Sequence, residues 1–506
     1  MSFRRAHALG SEGMKVADNV LFVASEYEGL VKSGGLADVA KALPAALTAA
    51  GARVKVLIPC YRPILAKSPP KVINSLAVPL NLTQTYGCSV RLIQDGDVEV
   101  YLLEHNEFYD RPGLYDENHW PYDDNPERFG LLSKAAFELC RSLAFQPDIV
   151  HAHDWQTGMV PYYLRVHYRD DPFFARTRVV FNVHNGAYQG HCHARWLSVL
   201  GIDPADFCPE RFEDFGNINL LKGGVTYADA VVPVSPGYAD ELLDERQSHG
   251  LWRTFHRARD KVQGILNGCD YGRWDPAVDD AIPANYSRDD LSGKAYCKRA
   301  LQSSVGLEPK SRAPLFGIVS RLTDQKGFHY LIPALHEFLQ HNVQLVVLGS
   351  GDPHFAGQLR HLADTHPGQV HFTEGYSESL SHRIEAASDF FIMPSLFEPC
   401  GLNQIYSMKY GTLPIVRRTG GLRDTVIPLH TGFDNGESAT GIGFEQPDIE
   451  QTAQALLQAL HLYQDYPDLF SQIQQNAMAA SFTWDGPAQE YLALYQRVLK
   501  APHPAP

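Results

Sequence analysis

Short apolar runs rich in β-branched residues alternate with longer segments of helical period through the first half of the chain. Uninterrupted apolar strands separated by helices are typical of a parallel sheet that is covered on both faces. The runs that predict strands here are VLFVASE (20–26), VKVLIPCY (54–61), VEVYLLEH (98–105), DIVHAH (148–153), VVFNVHN (179–185) and AVVPVSP (230–236). The segments LADVAKALPAALTAAG and PERFGLLSKAAFELCRSLA between them predict helices.

The same pattern restarts after a polar stretch rich in turn residues, between about Val262 and Ser311. The second series of predicted strands is LFGIVSR (315–321), VQLVVLGSG (343–351), VHFTEGY (370–376), DFFIMPS (389–395) and LPIVRR (413–418). Two such series predict an α/β protein with two Rossmann-like, doubly wound parallel-sheet domains that face a deep interdomain cleft. We expect an N-terminal domain over 1–262, a C-terminal domain over 263–483, and a helix with a tail over 484–506 that crosses back to the N-terminal domain. The first dozen residues predict a loose arm, and the final APHPAP a disordered tail.

Composition narrows the function classes. Hydrophobic residues make up 44% and charged residues 20% of the chain, which excludes wholesale disorder and a fibrous repeat. A net charge of −14 disfavours nucleic acid as a partner. The eight cysteines are scattered with no CxxC pair, which favours reduced thiols. The sequence contains neither an apolar signal segment nor a run of ~18 apolar residues, so we predict a cytoplasmic protein with no membrane partner.

The loop after the first predicted strand, SEYEGLVKSGGLADV, is the strongest candidate for chemistry. Gly34 and Gly35, called here the first glycine pair, lie between a strand and a helix, so backbone N–H groups and the positive helix end are available to an anion. Lys32 adds a full charge. We predict that this loop binds a diphosphate. The alternative is a tight turn with a solvated lysine, since the spacing fits neither a Walker A loop nor GxGxxG.

A basic pair, Arg321 and Lys326, follows the first strand of the second series. Arg321 lies at the carboxyl end of a strand, where open α/β sheets bind ligands. Two cations there complement the charge that builds on a leaving phosphate. A basic surface loop with ion pairs is the alternative.

Glu398 follows a strand in FIMPSLFEPCGLNQIYSMKYG, and Cys400, Gly401 and Leu402 lead into a helix. The backbone N–H groups of these three residues are donors for hydroxyl or phosphate oxygens, and the preceding acid can accept hydrogen bonds from sugar hydroxyls. The later TGGLRDTV repeats a glycine pair that opens a helix. A structural acid that caps the helix is the alternative for Glu398.

Three segments suggest metal binding, but we predict no metal. HAHD (151–154) and His184 follow predicted strands of the first domain, but the sequence offers no carboxylate-rich set of partners for a metal there. DGD (95–97) lies between two predicted strands and is better explained as a hairpin turn. HCH (191–193) is expected to be a loop without a ligand role.

Taken together, the strings of this chain resemble the bacterial glycogen synthases and plant starch synthases, glycosyltransferase family 5, in order and spacing from about residue 20 to 497. The strings that carry the resemblance are KSGGLADV, RPGLY, HAHDWQTG, HNGAYQG, INLLKGGVTYADAVVPVSP, GILNGCDYGRWDP, VSRLTDQKG, GSGDP, HRIEAASD and FEPCGLNQIYSMKYGTLPIVRRTGGLRDT. The resemblance implies a GT-B fold and a retaining glycosyltransferase. This enzyme would move glucose from ADP-glucose to the non-reducing end of an α-1,4-glucan such as glycogen, with no cofactor and no metal.

The resemblance also implies roles in the first series. Lys32 and the first glycine pair would contact the diphosphate, and Asp38 would lie close to donor or acceptor groups. Asp154 is similar to the acceptor-side acid, with Trp155 as its aromatic neighbour. His184 is similar to the histidine that touches the sugar next to the reacting carbon.

In the second series, the resemblance implies that the basic pair binds the distal phosphate and that Tyr376 stacks on the base. Asn267 would reach the donor sugar, and Glu398 with residues 400–402 would bind the glucose. The residues predicted to act in catalysis are His184, Glu398, Arg321, Lys326 and Asp154.

The chain departs from the family pattern at three places. HNGAYQG has glycine where leucine is commoner, which we expect to loosen a packed position. The segment before the hinge, LLDERQSHGLWRTFHRARDKV, diverges, so contacts there are open. Tyr406 stands where related transferases carry the second acid of E-x7-E, so recognition of ribose by a carboxylate at this position is in doubt.

The predicted mechanism has ADP leave from the face that the acceptor enters, through a short-lived oxocarbenium-like species, after closure of the cleft. Two alternatives stay open: another GT-B glucosyltransferase that uses UDP-glucose or a small acceptor, and a catalytically silent glucan-binding paralogue. A phosphorylase would need a Schiff-base lysine in a different motif and a longer chain.

Overall fold

The structure is a computed structural model that describes residues 19–118, 120–309 and 312–502. The predicted N-terminal arm and the last four residues of the predicted tail lie outside the described residues. The chain forms two compact units. The first comprises the chain up to Asn182, Tyr188–Val231 and the chain from Ala488 onward, and the second comprises Val183–Ala187 and Val232–Pro487.

Every strand predicted in the first half of the sequence is present, with additional strands between them. The strands are β1 (Asn19–Val23), β2 (Arg53–Pro59), β3 (Lys71–Pro79), β4 (Thr85–Asp95), β5 (Val98–Glu104), β6 (Asp116–Glu117), β7 (Trp120–Pro121), β8 (Ile149–His153), β9 (Arg178–Val183), β10 (His191–His193), β11 (Glu213–Asp214), β12 (Asn217–Asn219) and β13 (Ala230–Pro233).

Eight of these strands form a sheet in the order β13-β9-β8-β1-β2-β5-β4-β3. The pairs from β5 back through β2, β1, β8 and β9 are parallel, whereas β3 and β4 add an antiparallel edge. The DGD turn is confirmed, because Asp95 pairs with Val98 at the end of the β4–β5 hairpin and Gly96 has a φ of 56°.

The helices of this part of the chain are α1 (Gly35–Ala49), α2 (Arg62–Leu65), α3 (Asn106–Tyr109), α4 (Asn125–Ser142), α5 (Met159–Tyr162) and α6 (Leu220–Tyr227). Helices α1 and α4 are the two long helices predicted from the sequence. Helix α1 buries Leu36, Val39, Leu43 and Leu47, which recur every three to four residues, so one apolar face packs on the core.

The expectation that HCH forms a loop is wrong. These residues form β10, which pairs antiparallel with β12, so that His191 lies opposite Asn219. His191 contacts Asp214 across this small sheet at 2.6 Å, and the backbone N–H of Arg195 donates to His193 Nδ1. Pairing with β12 holds this segment in place. A run of only three residues with polar side chains does not predict such pairing.

The second unit contains the five strands of the second predicted series and one strand that was not predicted, β19, in a six-stranded parallel sheet of the order β16-β15-β14-β17-β18-β19. Its strands are β14 (Leu315–Leu322), β15 (Gln344–Gly351), β16 (Val370–Glu374), β17 (Phe390–Met393), β18 (Leu413–Arg417) and β19 (Ile442–Phe444). Its helices are α7 (Pro236–Leu242), α8 (Trp252–Arg257), α9 (Ser292–Ser304), α10 (Phe328–Phe338), α11 (Pro353–Thr365), α12 (Glu378–Ala387), α13 (Asn403–Lys409), α14 (Gly420–Thr425), α15 (Ile449–Asp465) and α16 (Pro467–Ala479).

All strands of this second sheet run in the same direction, so their carboxyl ends share one edge and their amino ends share the other. Apolar clusters cover the sheet, one of which includes Phe316, Val347 and Phe390 and another Leu315, Val346 and Phe391. Neighbouring residues along one strand therefore face opposite clusters, as expected for a sheet buried on both faces.

The C-terminal helix α17 (Asp485–Lys500) begins after Trp484, as predicted. Its buried tyrosines meet the first sheet. Tyr495 OH lies 2.7 Å from His151 Nδ1, and Asn182 Nδ2 donates to Tyr491 OH at 2.6 Å. Asn182 Oδ1 also lies 2.7 Å from His151 Nε2, so both ring nitrogens of this histidine have protein partners.

His151 and His153 lie on the same side of β8, with ring centroids 4.3 Å apart. His153 stacks on Phe22. Burial lowers the pKa of His151 to about 4. A neutral, fully hydrogen-bonded histidine in an aromatic core explains His151 without a metal.

Candidate functional site

The loop between β1 and α1 holds Lys32 and the first glycine pair on the surface of the first unit. Lys32 Nζ donates to Asp38 Oδ1 at 2.6 Å, so the predicted diphosphate lysine is paired with a carboxylate in the first turn of the helix. Burial raises the pKa of Asp38 more than Lys32 lowers it. Lys32 and Asp38 therefore form one small, half-exposed charge pair beside the glycines.

The conformation of the loop argues against a purely structural reason for the first glycine pair. Gly34 has a φ of −160°, which is extended backbone that any residue adopts. A methyl group added to either Gly34 or Gly35 would meet no atom within 4 Å. The turn does not need glycine, so the open space in front of this backbone supports the prediction that a ligand approaches it.

Sequence reasoning missed Glu26, which organises the same loop. This buried carboxylate accepts hydrogen bonds from Ser33 N at 2.5 Å, Ser33 Oγ at 2.5 Å, Gly34 N at 3.3 Å and Tyr115 OH at 2.6 Å. The N–H of Gly34, which we expected to face a diphosphate, thus already has a carboxylate partner. The available signal was an acid at the carboxyl end of the first strand, next to the loop.

Asp154 and Trp155 follow β8 directly, and both are half-buried. Asp154 has a φ of 56° and a ψ of −175°, a conformation that costs a non-glycine residue about 1 to 3 kcal/mol and is commonest at functional sites. Its N–H donates to Asn182 O at 3.0 Å. Trp155 packs edge-on against Phe129, and a Cβ added to Gly190 would lie 2.6 Å from its ring.

His184 follows β9 and is half-buried. The expectation that Gly186 loosens this segment is wrong. The N–H of Gly186 donates to Tyr238 OH at 2.7 Å, and an added Cβ would lie 3.1 Å from that oxygen and 3.2 Å from Leu242. Tyr238 and Leu242 fill the volume that a larger residue would occupy.

In the second unit, the basic pair and Glu398 line one cavity at the carboxyl edge of the sheet. This cavity has a volume of about 170 Å³ and is also lined by Ser395, Gly401 and Leu402. Lys326 Nζ donates to Glu398, and Ser395 Oγ donates to Glu398 Oε2 at 2.9 Å. The side chains of Lys326 and Glu398 are 18% and 10% exposed, so this ion pair is largely removed from water.

Arg321 differs from Lys326 because it is exposed and, within the described residues, has no carboxylate partner. It remains available to an anion. The arrangement therefore offers one free cation, one cation already oriented by an acid, and the acid itself at the end of the same strands.

The loop 400–402 leads directly into α13, as predicted, and is fixed by packing. The N–H of Gly421 donates to Glu398 O at 3.0 Å, and Gln404 Nε2 donates to Cys400 O at 3.0 Å. Burial raises the pKa of the Cys400 thiol to about 12, so Cys400 contributes backbone and not a reactive sulfur.

Asn267 is buried, and its Oδ1 accepts no hydrogen bond among the described residues. A buried polar atom of this kind is uncommon and calls for an explanation such as a bound partner. Cys400 interacts with the backbone of Asn267, so Asn267 lies beside the loop that carries Glu398. The contact of Asn267 with a donor sugar stays a prediction.

The predicted base-stacking residue, Tyr376, stands apart from this cavity. It follows β16 at the same edge of the sheet and is 81% exposed. Tyr406 does not face solvent. Its ring stacks on Trp274 with a 4.2 Å centroid separation, and Trp274 stacks on His382 at 3.8 Å. The E-x7-E position thus forms part of an aromatic stack that braces α13, a role that spacing alone did not reveal.

No group of three or more histidine, cysteine or acidic side chains suited to a metal ion occurs in residues 19–118, 120–309 and 312–502. Across the same ranges, none of the helices combines the length and apolar character needed to cross a bilayer.

Comparison with known proteins decides the family. Residues 19–257 match the family model described as starch synthase catalytic domain, and residues 303–477 match the one described as glycosyl transferases group 1. A glycogen synthase of Aeromonas salmonicida (strain A449) is 45% identical over 95% of this chain and 98% of its own length. One from Vibrio vulnificus (strain YJ016) is 46% identical over 95% and 99%. The chain belongs to the glycogen synthase and starch synthase family.

A solved structure agrees with this family assignment. The catalytic domain of starch synthase IV from Arabidopsis thaliana, bound to ADP and acarbose, has a TM-score of 0.86 and 31% identity over 96% of this chain and 100% of that chain. The predicted GT-B fold with two Rossmann-like, parallel-sheet domains is confirmed, and this member of the glycogen synthase family is a glycosyltransferase.

Proposed function

We propose that this chain transfers glucose from ADP-glucose to the non-reducing end of an α-1,4-glucan, with retention of configuration at the anomeric carbon. The relatives that it matches over nearly their full length are glycogen synthases, and the matching starch synthase structure holds ADP and acarbose. The cavity that joins Arg321, Lys326 and Glu398 at the carboxyl edge of the second sheet is the observation that carries the proposal.

The basic pair would stabilise the departing diphosphate. Arg321 is exposed at the end of β14, and Lys326 is already oriented by Glu398. Cations that are held in place before the reaction stabilise developing negative charge without the energetic penalty of reorganising solvent. Glu398 would therefore have two roles: it positions Lys326, and its other carboxylate oxygen can accept hydrogen bonds from sugar hydroxyls.

The glucose would lie against the loop 400–402. Backbone N–H groups there precede α13, and Asn267 supplies a buried amide oxygen that none of the described residues donates to. A hydroxyl-rich ligand satisfies such groups well, because each hydroxyl both donates and accepts. The cavity volume of about 170 Å³ leaves room for one sugar ring.

The chemical step would be a front-face substitution. The bond between the anomeric carbon and the phosphate oxygen breaks, and the acceptor 4-hydroxyl oxygen bonds to the same face of that carbon. The hydroxyl proton passes to the departing phosphate oxygen, so ADP is the product and no external acid is needed. As the family resemblance implies, we place Asp154 and His184 on the sugar and acceptor side, Lys32 and the first glycine pair at the diphosphate, and Asp38 close to donor or acceptor groups.

Strained backbone at Asp154 and open space at the first glycine pair support those assignments. A φ of 56° fixes the direction of the Asp154 side chain at the end of β8. The glycines leave room for a ligand to approach the loop.

The direct test is transfer of labelled glucose to glycogen from ADP-glucose and from UDP-glucose in parallel, followed by digestion with β-amylase, which cleaves α-1,4 linkages. We expect faster transfer from ADP-glucose and release of the label as maltose. An Arg360→Ala variant, which loses an exposed arginine paired with Glu374, should transfer glucose at the wild-type rate. Label that resists β-amylase, or transfer from UDP-glucose alone, would contradict the proposal.

A further inference from the structure

The second unit contains another, larger cavity at the opposite edge of its sheet. The cavity has a volume of about 690 Å³, within the range of small-molecule sites. Arg312 precedes β14, Asn342 precedes β15 and Asp389 precedes β17, and all three line it. Strand β14 is eight residues long, roughly 26 Å, so the amino edge and the carboxyl edge are well separated. This cavity is therefore not an extension of the one that holds Arg321 and Glu398.

The lining of the amino-edge cavity is strongly positive. Four cationic side chains contribute to it, against the single acid Asp389; they are Lys294, Lys298, Arg299 and Arg312. Lys298 Nζ donates to Asp389 Oδ2 at 2.6 Å, which cancels one of these charges. Three positive charges remain, in a chain whose net charge is −14. A local excess of this kind attracts anions even when the whole protein repels them.

Lys294 is a fully buried part of this excess. Its Nζ donates to Ala386 O, Tyr410 O and Thr412 Oγ1, which are all neutral acceptors. Burial lowers the pKa of Lys294 to about 8 and raises the pKa of nearby Glu385 to about 8. Burial thus disfavours the charged form of both groups, and none of the three atoms that accept from Lys294 carries a formal charge. A buried charge without a full counter-charge is costly, and an anion in the adjoining cavity would offset that cost.

The two arginines at the mouth of the cavity are free to bind. Both are exposed, and among the described residues neither has a carboxylate partner. Arg299 Cζ lies 5.9 Å from the ring centroid of Tyr296, a contact that uses none of its guanidinium N–H groups as hydrogen-bond donors. Arginine presents a planar fork of donors that matches phosphate oxygens.

The remaining wall is partly apolar. Tyr463 and Phe470 pack with ring centroids 5.1 Å apart, and both face the cavity. A bare inorganic ion would leave this wall unused, whereas the body of an organic phosphate would cover it. The combination of arginine forks with an aromatic wall favours a ligand with one charged end.

We propose that the amino-edge cavity of the second unit binds a small phosphate ester, with the phosphate held by Arg299 and Arg312 and the organic part against Tyr463 and Phe470. This site is separate from the donor site and goes beyond the proposed function. It would let a phosphorylated metabolite bind without competing for the edge of the sheet where transfer takes place.

The experiment is a crossed calorimetric titration of the full-length chain with inorganic phosphate, glucose 6-phosphate and AMP. These probes represent the phosphate alone, a sugar ester and a nucleoside ester. They are titrated into the wild type, the Arg299→Gln/Arg312→Gln variant and the Arg321→Gln/Lys326→Gln variant. We expect saturable binding of at least one ester to persist in the donor-site variant and to weaken at least tenfold in the cavity variant.

Charge, and not local unfolding, must account for the loss. An Arg299→Lys/Arg312→Lys variant keeps both charges, so it should recover part of the affinity, and Arg360→Gln should have no effect. The proposal is overturned if no probe binds, if binding is lost in the donor-site variant and unchanged in the cavity variant, or if only inorganic phosphate binds. It is also overturned if neutral maltohexaose binds there while the esters do not, since the cavity would then be a glucan site.

Discussion

Two glycine pairs that are nearly identical in sequence, SGGLAD at 33–38 and TGGLRD at 419–424, have opposite surroundings. Both open a helix, α1 in the first case and α14 in the second, and both place backbone N–H groups against a buried glutamate. Glu26 accepts from Gly34 N in the first loop, and Glu241 accepts from Gly420 N in the second. The pattern of donors is thus shared.

The space in front of the two pairs is not shared. A Cβ on Gly34 or Gly35 would meet nothing within 4 Å, whereas a Cβ on Gly421 would lie 2.1 Å from Cys400 O and one on Gly420 would lie 2.1 Å from Glu398 O. The second pair exists so that two loops can pack, and the first leaves room for a ligand. Sequence similarity within one chain therefore does not establish a common role.

The ion pairs beside these loops differ in the same sense. Lys32 and Asp38 are 49% and 27% exposed, while Lys326 and Glu398 are 18% and 10% exposed. Water screens the first pair but is largely excluded from the second. We therefore expect loss of Lys326 to lower the free energy of unfolding much more than loss of Lys32.

Lys326→Ala should have the largest effect. It leaves Glu398 buried without its counter-charge, which we expect to lower the free energy of unfolding by about 3 to 5 kcal/mol. The loss of an oriented cation at the diphosphate should also lower kcat about 10²- to 10³-fold. Urea unfolding and glucose-transfer kinetics measure the two effects.

A second variant separates these effects. In Lys326→Ala/Glu398→Gln the orphaned charge is removed, so most of the stability should return while kcat stays low. A near wild-type kcat in Lys326→Ala would show that this lysine does not act on the diphosphate.

Gly421→Ala and Gly34→Ala form a matched pair that tests the comparison directly. Overpacking against Cys400 O should lower the free energy of unfolding of Gly421→Ala by about 1 to 3 kcal/mol. Gly34→Ala should be neutral or should stabilise the protein by about 0.4 to 1 kcal/mol, because its backbone suits alanine. Its KM for ADP-glucose should nevertheless rise. Equal stabilities for the two variants would remove the distinction between a packed and an open glycine pair.

Local sequence patterns predict some of these features of the protein and not others. The strands of both sheets were predictable because strands buried on both faces must be apolar along their whole length. Strands β3 and β4 were not, because they form a largely exposed antiparallel edge with few buried positions, and neither was β19, which has only three residues. Arg321 lies near the end of one strand and Glu398 follows another, and parallel strands bring their carboxyl ends to one edge, which explains why both side chains line one cavity.

Residues recruited from elsewhere in the chain could not be predicted in this way. Tyr115 reaches Glu26 from 89 positions away, and Trp274 stacks on Tyr406 across more than a hundred. Such contacts depend on how separate segments pack together, and no local pattern encodes them. The difference between the two glycine pairs is of the same kind, since it lies in what stands opposite each loop.

Glu26→Gln tests whether the first loop depends on a charged acceptor. The amide retains the size of the side chain but accepts weaker hydrogen bonds from Ser33 and Gly34, so we expect a loss of about 1 kcal/mol in the free energy of unfolding. If the loop positions Lys32, KM for ADP-glucose should rise more than kcat falls. Tyr115→Phe removes only one of the bonds to Glu26 and should have a smaller effect on KM; an equal effect would mean that the whole network, and not the loop, is being disturbed.

Lys32→Ala should lower the free energy of unfolding by only about 0.2 to 1 kcal/mol, because its pair with Asp38 is half-exposed. This small difference should also depend on pH with a definite sign. Burial raises the pKa of Asp38 above its usual 3.8, and Lys32 opposes that rise, so removing the lysine raises the pKa of Asp38 further. The charged carboxylate is then less stable in the folded variant than in the folded wild type, and the stability difference is present once Asp38 is ionised. As the pH falls through the pKa of Asp38 toward 3.8 and below, the carboxyl becomes neutral in both proteins and the difference should vanish.

Urea titrations of the two proteins at pH 7 and at pH values near 4 measure this difference in stability. The transfer rate at pH 7 should fall independently if Lys32 contacts the diphosphate. A stability difference that grows on acidification would mean that Lys32 stabilises the loop through something other than Asp38.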